Sequence, residues 1–256
     1  MKAVILAGGR GSRLSEETVL RPKPLVEIGG RPIIWHIMNI YAAHGVVDFV
    51  VCAGYKGYLL KEYFANLALH DSDVTFDLGT GEVHYHQPAQ VPWRVTVVDT
   101  GLATMTGGRV RRVRAHLEPG EPFLLTYGDG VADVDVTATI ALHRRVGAQA
   151  TMTVVRPSAR FGTVSVDGDR VTEMLEKHPS GVNQVNGGFF VVEPDVLDRI
   201  AGDASVWESD VLPALARDGG LAAYQHHGYW QPMDTVWERE LLERLWADGR
   251  APWKVW

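Results

Sequence analysis

The residues best suited to chemistry lie near the start of the chain. Ala7-Gly8-Gly9-Arg10-Gly11-Ser12-Arg13-Leu14 follows directly on the apolar run Lys2–Leu6, and Arg21-Pro22-Lys23-Pro24-Leu25 comes shortly after. Glycines at 8, 9 and 11 leave the backbone free to turn several N–H groups toward one anion, and Arg13 adds a positive charge. A proline on either side of Lys23 restricts the backbone there, so its ammonium can be aimed at a fixed point. Together these stretches suit a phosphate cradle with an aimed counter-charge; a Gly-rich stretch alone would equally serve as a tight strand-to-helix turn. Neither common phosphate loop is present. The P-loop spacing counted from Gly8 needs glycine where Arg13 stands, and the dinucleotide spacing from Gly9 needs glycine where Leu14 stands. Two carboxylates complete the candidate chemistry. Asp129, in Gly128-Asp129-Gly130, falls just beyond a strand-like run, where ligands sit in open α/β sheets. Asp234, in Trp230-Gln231-Pro232-Met233-Asp234-Thr235, precedes a helical pattern and, taken alone, reads as an N-cap.

The surrounding elements must bring these groups together. Lys2–Leu6 and Val46–Cys52 are short, β-branched apolar runs that read as buried strands. Between them Pro32 suits a first helical turn, and apolar residues recur at helical spacing from Ile33 to Tyr41 before Gly45 offers a stop. A helix is expected over Tyr55–His70, then a hairpin, Val74–Leu78 and Glu82–His86 around Gly79-Thr80-Gly81, inserted into the alternation. Strands follow at Arg94–Val98, Phe123–Tyr127 and Ala150–Val155, with a basic helix from about Arg109 to Leu117 and another over Val136–Val146. Strand and helix alternate, so the sheet should be mostly parallel. After Arg156 the texture changes to alternating strands around Asp167-Gly168, then Asn186–Val192 and shorter helices.

With 46% apolar and 22% charged residues, the 256-residue chain has the composition of a soluble globular protein, and it carries no apolar run long enough for a membrane span. The start lacks the pattern of a signal peptide, which points to the cytoplasm. A net charge of −6 offers no broad attraction for nucleic acid or anionic membrane, so phosphate binding must rest on local Lys and Arg, and the ligand should be a small anion. The lone Cys52, in an apolar strand, reads as a small core residue. His84 with His86, and His226 with His227, lack a third ligand at zinc spacing and read as surface or interface residues.

The strand, the Gly-Gly-x-Gly-Ser-Arg-Leu loop and the Pro-Lys-Pro resemble the sugar-nucleotide pyrophosphorylases. "SEET", "PKPLVEIGGRPIIWHIM", "GYKGY", "MTGGR", "TYGDGVAD", "NGGFF" and "WQPMDT" extend the resemblance, along nearly the whole chain, to the glucose-1-phosphate cytidylyltransferases of that family. The resemblance implies an α/β, Rossmann-like nucleotidyltransferase fold with a mostly parallel, mixed central sheet flanked by helices, an inserted β-hairpin and an α+β C-terminal part. One domain over 1–256 is expected, with about 1–155 holding nucleotide and about 156–256 sugar. It further implies that CTP and α-D-glucose 1-phosphate give CDP-glucose and pyrophosphate, that Asp129 and Asp234 share one Mg²⁺, and that the chain forms a homo-oligomer, often a hexamer in this family. Arg13 and Lys23 are then the catalytic cations. Nucleotide falls to Leu6, Ala7, Gly8, Gly9, Gly11, Ser12, Thr106, Gly108, Arg109 and Asp129 as well. The family positions for substrate are Tyr127, Gly128, Glu176, Lys177, Asn186, Gly188, Trp207 and Glu208.

Two of these positions also have plainer readings. Met105–Arg109 can present an arginine and close backbone to cytosine, or can be a glycine-rich helix start with a solvated Arg109. A carboxylate pair could do acid/base work, although a phosphate monoester with a second pKa of about 6 is already anionic and needs no strong base. The chain departs from the family at Glu176-Lys177-His178-Pro179, where Glu-Lys-Pro is usual, and in the following "SGVNQV"; this bears on sugar identity more than on the transfer. Ser12 stands where Thr is usual and keeps the hydroxyl. A transferase for another sugar phosphate or nucleotide, and a non-catalytic nucleotide sensor, are the competing functions; retention of Arg13, Lys23, Asp129 and Asp234 argues against the sensor.

Overall fold

A computed structural model describes residues 1–86, 91–157, 163–167, 170–175 and 184–256. Seven strands form the main sheet: β1 (Ala3–Leu6), β2 (Asp48–Ala53), β3 (Arg94–Asp99), β4 (Phe123–Tyr127), β5 (Ala150–Val155), β6 (Val185–Val192) and β7 (Leu221–Gln225), in the spatial order β7-β5-β6-β4-β1-β2-β3. β1 lies parallel to both β2 and β4, β2 to β3, and β5 to β7; β6 alone runs antiparallel, between β4 and β5. The mostly parallel sheet expected from the alternation is therefore mixed, through one strand.

Why β1 reads as an unbroken apolar run is visible in its packing. Ala3 and Ile5 enter one hydrophobic cluster, Val4 and Leu6 the other, so alternate side chains are buried on both faces. The first cluster takes the apolar stripe of helix α1 (Ile33–Ala43), and the second takes Val110, Trp207 and Leu215. Chain order departs from β1 in both directions, to β2 on one side and β4 on the other. The crevice beyond the carboxyl ends of β1 and β4 is thus the place where an open sheet accepts a ligand. Leu6 and Tyr127, the last residues of the two strands, are register partners.

Several elements differ from their expected bounds for local reasons. Pro32 precedes α1 in extended conformation (φ −57°, ψ 146°) instead of entering its first turn. The expected helix over Tyr55–His70 breaks into α2 (Gly57–Ala65) and a short turn, Leu67–Asp71, at Asn66, whose side-chain amide donates back to the Glu62 carbonyl at 2.8 Å and competes with the helical backbone. The basic helix begins early: α3 is Thr106–Arg112, and it includes Gly107 and Gly108 because a Cβ on either would meet the Asp203–Ser205 backbone within 3 Å. Helix α4 (Val136–Val146) matches its expected span, with the Asp135 carboxylate accepting from the Ala138 N–H and Gly147 (φ +62°) closing it. The inserted hairpin forms its own ribbon, Val74–Phe76 against Val83–Tyr85. Thr163–Asp167 pairs with Arg170–Leu175 as expected. No helix among the described residues is long and apolar enough to cross a membrane.

Short α5 (Leu212–Arg217) backs the second cluster, and α6 (Val236–Ala247) leads into a C-terminal tail that folds back onto α1. There Trp253 is fully buried and its indole N–H donates to His36 Nδ1 at 3.3 Å, while His36 Nε2–H donates to the Ile28 carbonyl at 2.9 Å. Trp246 packs edge-on to the same imidazole. Burial lowers the His36 pKa to about 4 from its ordinary 6.5, so the folded ring stays neutral where the unfolded chain would take a proton. The stability this gives is fully present above about pH 6.5 and is lost as pH falls toward 4. Urea unfolding across that window should show stability falling with pH, and His36→Gln should flatten the slope.

Candidate functional site

The Gly-rich loop leaves β1 at Leu6 and is fixed at both ends. Ala7 N–H donates to the Cys52 carbonyl (3.0 Å), Gly128 N–H to Leu6 (3.0 Å) and Tyr55 N–H to Gly8 (3.1 Å). Gly11, at φ +64°, makes a turn that a side chain would resist, and the Leu14 N–H closes it on the Gly11 carbonyl at 2.9 Å. Ser12 and Arg13 therefore sit on one tight turn facing the crevice. Gly8, Gly9, Gly11 and Ser12 all line a hollow of about 550 Å³ with Leu6 and Ala7.

Lys23 begins a single 3-10 turn between Pro22 and Pro24, closed by Val26 N–H on the Lys23 carbonyl at 3.0 Å. The constrained backbone aims the side chain, which is 9% exposed, between two carboxylates: Nζ lies 2.7 Å from Asp129 Oδ2 and 2.7 Å from Asp234 Oδ1. Arg13 Nη1 meets the other Asp234 oxygen, Oδ2, also at 2.7 Å. The two aspartates converge because Trp230–Pro232 pairs antiparallel with Gly130–Ala132, setting Pro232 opposite Gly130 and the Met233 N–H 2.8 Å from the Asp129 carbonyl. Asp234 is not the helix cap. Thr235 caps α6 in a reciprocal box with Glu238, whose carboxylate also accepts from the Asp234 N–H at 2.8 Å. The Asp234 side chain is thereby left for the crevice.

The donor set fits a hard divalent ion. Two carboxylates already face one cation, and the described residues hold no group of three or more His, Cys, Asp or Glu that would complete a protein-only cage. Mg²⁺ characteristically takes one or two carboxylates and fills its other positions with phosphate oxygens and water.

In the wall of the larger hollow Arg109 departs from the plainer alternative of a solvated side chain. This side chain is buried, and its Nη1 donates to Thr100 Oγ1 (2.7 Å), the Gly101 carbonyl (2.8 Å) and the Ala53 carbonyl (3.3 Å). A Cβ on Gly8 would lie 2.0 Å from that nitrogen and one on Gly54 2.5 Å, so both glycines make room for the guanidinium. Burial lowers the Arg109 pKa from its ordinary value. Thr106 also lines the hollow, its hydroxyl donating to Glu208 Oε2 (2.7 Å) and accepting from the Trp207 N–H (2.9 Å). Gly108 does not belong to the wall; it is turned onto Asp203. Leu102, Thr104 and Met105 line the hollow and were not singled out by sequence, although Met105 stands in the "MTGGR" stretch that was.

A second hollow, about 420 Å³, adjoins the first across Arg13, Tyr127, Asp129 and Asp234. The Tyr127 hydroxyl donates to Glu208 Oε1 and accepts from Asn186 Nδ2 at 3.1 Å. Burial, and then the Glu208 charge, hold that phenol well above its usual pKa, so it remains a donor. Gly188, at φ +80°, lies so close to the Tyr127 ring that a Cβ would approach it to 2.6 Å. Gly128 lines the first hollow, Asn186, Gly188 and Glu208 the second. Trp207 lines neither hollow: its side chain is fully buried, packed edge-on against Phe190 in the second core cluster. Trp230, in "WQPMDT", is the aromatic that does line the hollow, its indole N–H on the Gly187 carbonyl at 2.7 Å. Glu176 and Lys177 lie outside the described residues.

Outside the crevice the plainer readings stand. Cys52 is fully buried, its thiol pushed up to about 12 by burial. His84 lies near Glu82 and His86 bonds Thr75 on the exposed hairpin, while His226, expected at the surface, is buried against Asp133 and the Tyr229 carbonyl.

Comparison with known proteins places these features in a family. The nucleotidyl transferase family profile matches residues 2–238. Glucose-1-phosphate cytidylyltransferase of Salmonella typhi is 53% identical over 256 residues, covering 100% of both chains. A probable glucose-1-phosphate cytidylyltransferase of Bacillus subtilis is 42% identical, again covering 100% of both. Among solved structures, HddC from Yersinia pseudotuberculosis superposes with a TM-score of 0.70 at 21% identity over 96% of this chain and 99% of its own. A UDP-glucose pyrophosphorylase complexed with UDP-glucose gives 0.70 at 15% over 97% and 99%. At such identities these structures bear on the fold alone.

The role of Arg109 in holding the wall is directly testable. Arg109→Met would leave the buried Thr100 hydroxyl oxygen without its donor and should cost about 2 kcal/mol in urea unfolding. A surface arginine of the same helix, Arg111, should give a much smaller loss when replaced in the same way.

Proposed function

Because the chain belongs to the nucleotidyl transferase family, we propose that its two adjoining hollows hold CTP and α-D-glucose 1-phosphate and that it transfers CMP between them, giving CDP-glucose and pyrophosphate. The observation that carries this reading is the meeting of Arg13, Lys23, Asp129 and Asp234 at the boundary of the hollows, in a chain 53% identical end to end to a glucose-1-phosphate cytidylyltransferase. The larger hollow, with the Gly-rich loop and the Arg109 wall, suits the nucleotide. The smaller, with Glu208, Asn186, Tyr127 and Trp230, offers directional hydrogen-bond groups and an aromatic face for a sugar.

An oxygen of the sugar phosphate attacks the α-phosphorus of CTP in line. The new O–P bond forms as the bond from the α-phosphorus to the bridging oxygen breaks, and pyrophosphate carries away the electron pair. The nucleophile is anionic at neutral pH, so no carboxylate has to act as base. The protein contributes position and charge. Loop N–H groups between Gly8 and Arg13 hold the triphosphate, Arg13 neutralises the departing pyrophosphate, and Lys23 meets the α-phosphate. Asp129 and Asp234 would hold Mg²⁺, which when bound draws off negative charge from the phosphate oxygens. Arg109 acts through the loop: by filling the space under Gly8 and Gly54 it fixes the wall against which the base lies.

The proposal extends to assembly. Phe76, Leu78, Val83 and Tyr85 expose apolar surface on the inserted hairpin, which supports a homo-oligomer.

Pyrophosphate release with CTP and glucose 1-phosphate, set beside UTP, dTTP and mannose 1-phosphate, tests the reading; equal or better turnover with any substitute would replace the assigned substrate. Lys23→Ala should lower kcat on the order of 10²–10³-fold, as expected for a lost charge at the reacting group. Full turnover in that variant would remove Lys23 from the mechanism.

A further inference from the structure

The position of the Lys23 ammonium has a consequence for the order of binding. It touches both carboxylates that would hold the metal, at 2.7 Å each, and Arg13 takes the remaining Asp234 oxygen at 2.7 Å. Two positive and two negative side chains make this cluster neutral. A free divalent cation approaching it meets no net attraction and must push aside an ammonium whose stem is pinned between prolines and more than nine-tenths buried. A polyphosphate changes the balance, because its oxygens offer Lys23 and Arg13 new anionic partners and release the two aspartates.

We propose that Lys23, besides meeting the α-phosphate, closes the Asp129–Asp234 pair to free divalent cations until nucleotide draws it away, so that metal and nucleotide bind with positive coupling. This rests on the proposed use of a nucleoside triphosphate by the same crevice. Coupling of this kind is reciprocal: whatever factor nucleotide adds to metal affinity, metal adds to nucleotide affinity.

Mn²⁺, followed by the loss of its free electron-paramagnetic-resonance signal, serves as the metal probe on the full chain without nucleotide. Lys23→Met should bind Mn²⁺ at least about tenfold more tightly than wild type, within the range typical of coupled sites. Mn²⁺ alone should also raise the melting temperature of that variant and leave wild type unmoved. Arg10→Met removes the same charge from the same hollow without touching either aspartate, and should shift Mn²⁺ affinity far less. An unchanged affinity in Lys23→Met, or an equal gain in Arg10→Met, overturns the proposal. Should the lysine variant not fold, ¹⁵N-lysine-labelled wild type gives the answer: the Lys23 ammonium resonance should persist when Mg²⁺ alone is added and shift when CTP follows, and a shift with Mg²⁺ alone overturns it. Failure of wild type to release pyrophosphate would instead strike the substrate reading, which these metal measurements do not depend on.

Discussion

Two carboxylates held side by side repel unless a cation lies between them, and much of this molecule is arranged around that constraint. The short ribbon joining Gly130–Ala132 to Trp230–Pro232 fixes the backbone after Asp129 against the backbone before Asp234. The capping box of α6 then holds the Asp234 N–H on Glu238. With both main chains immobilised, the acids cannot relieve their repulsion by moving apart, and the aimed Lys23 supplies the counter-charge. Arg13 completes the set from the turn that Gly11 allows. Elements far apart in sequence are thus tied to one electrostatic centre by backbone hydrogen bonds, which leave the side chains available for ligands.

What could be read from sequence follows the range of the interactions responsible. β1, α4 and β5 announce themselves through local pattern: a β-branched apolar run, a helical period with Asp135 before it and Gly147 after it, and another buried run. The Gly-rich loop and the prolines around Lys23 are local backbone constraints and were equally legible. Asp234 could not be separated from an N-cap by inspection, because the cap role passes to Thr235 only when Glu238, one turn on, reaches back. Residues whose surroundings depend on distant packing carry no local signal of where they face. Trp207 sits beside the site-lining Glu208, but its side chain points into the core, and Gly107 and Gly108 serve the Asp203–Ser205 backbone.

Arg109 shows how a functional-looking residue can act by occupying space. Its guanidinium gathers Thr100, Gly101 and Ala53, and the glycines at 8 and 54 are the complementary absence of side chains. The glycines of the phosphate loop therefore answer two demands at once: Gly11 needs a left-handed backbone, while Gly8 needs only room. A motif written as a string of glycines conceals that difference.

The separation along the chain between the partners of this centre has a further meaning for the molecule as it is made. Arg13 and Asp234 stand 221 residues apart, and Lys23 and Asp234 stand 211 apart. During synthesis the glycine loop and its cations leave the ribosome long before the second acid exists. A nascent chain therefore cannot assemble the phosphate-handling centre early, and a fragment cut short before Asp234 carries the binding loop with one of its two acids missing.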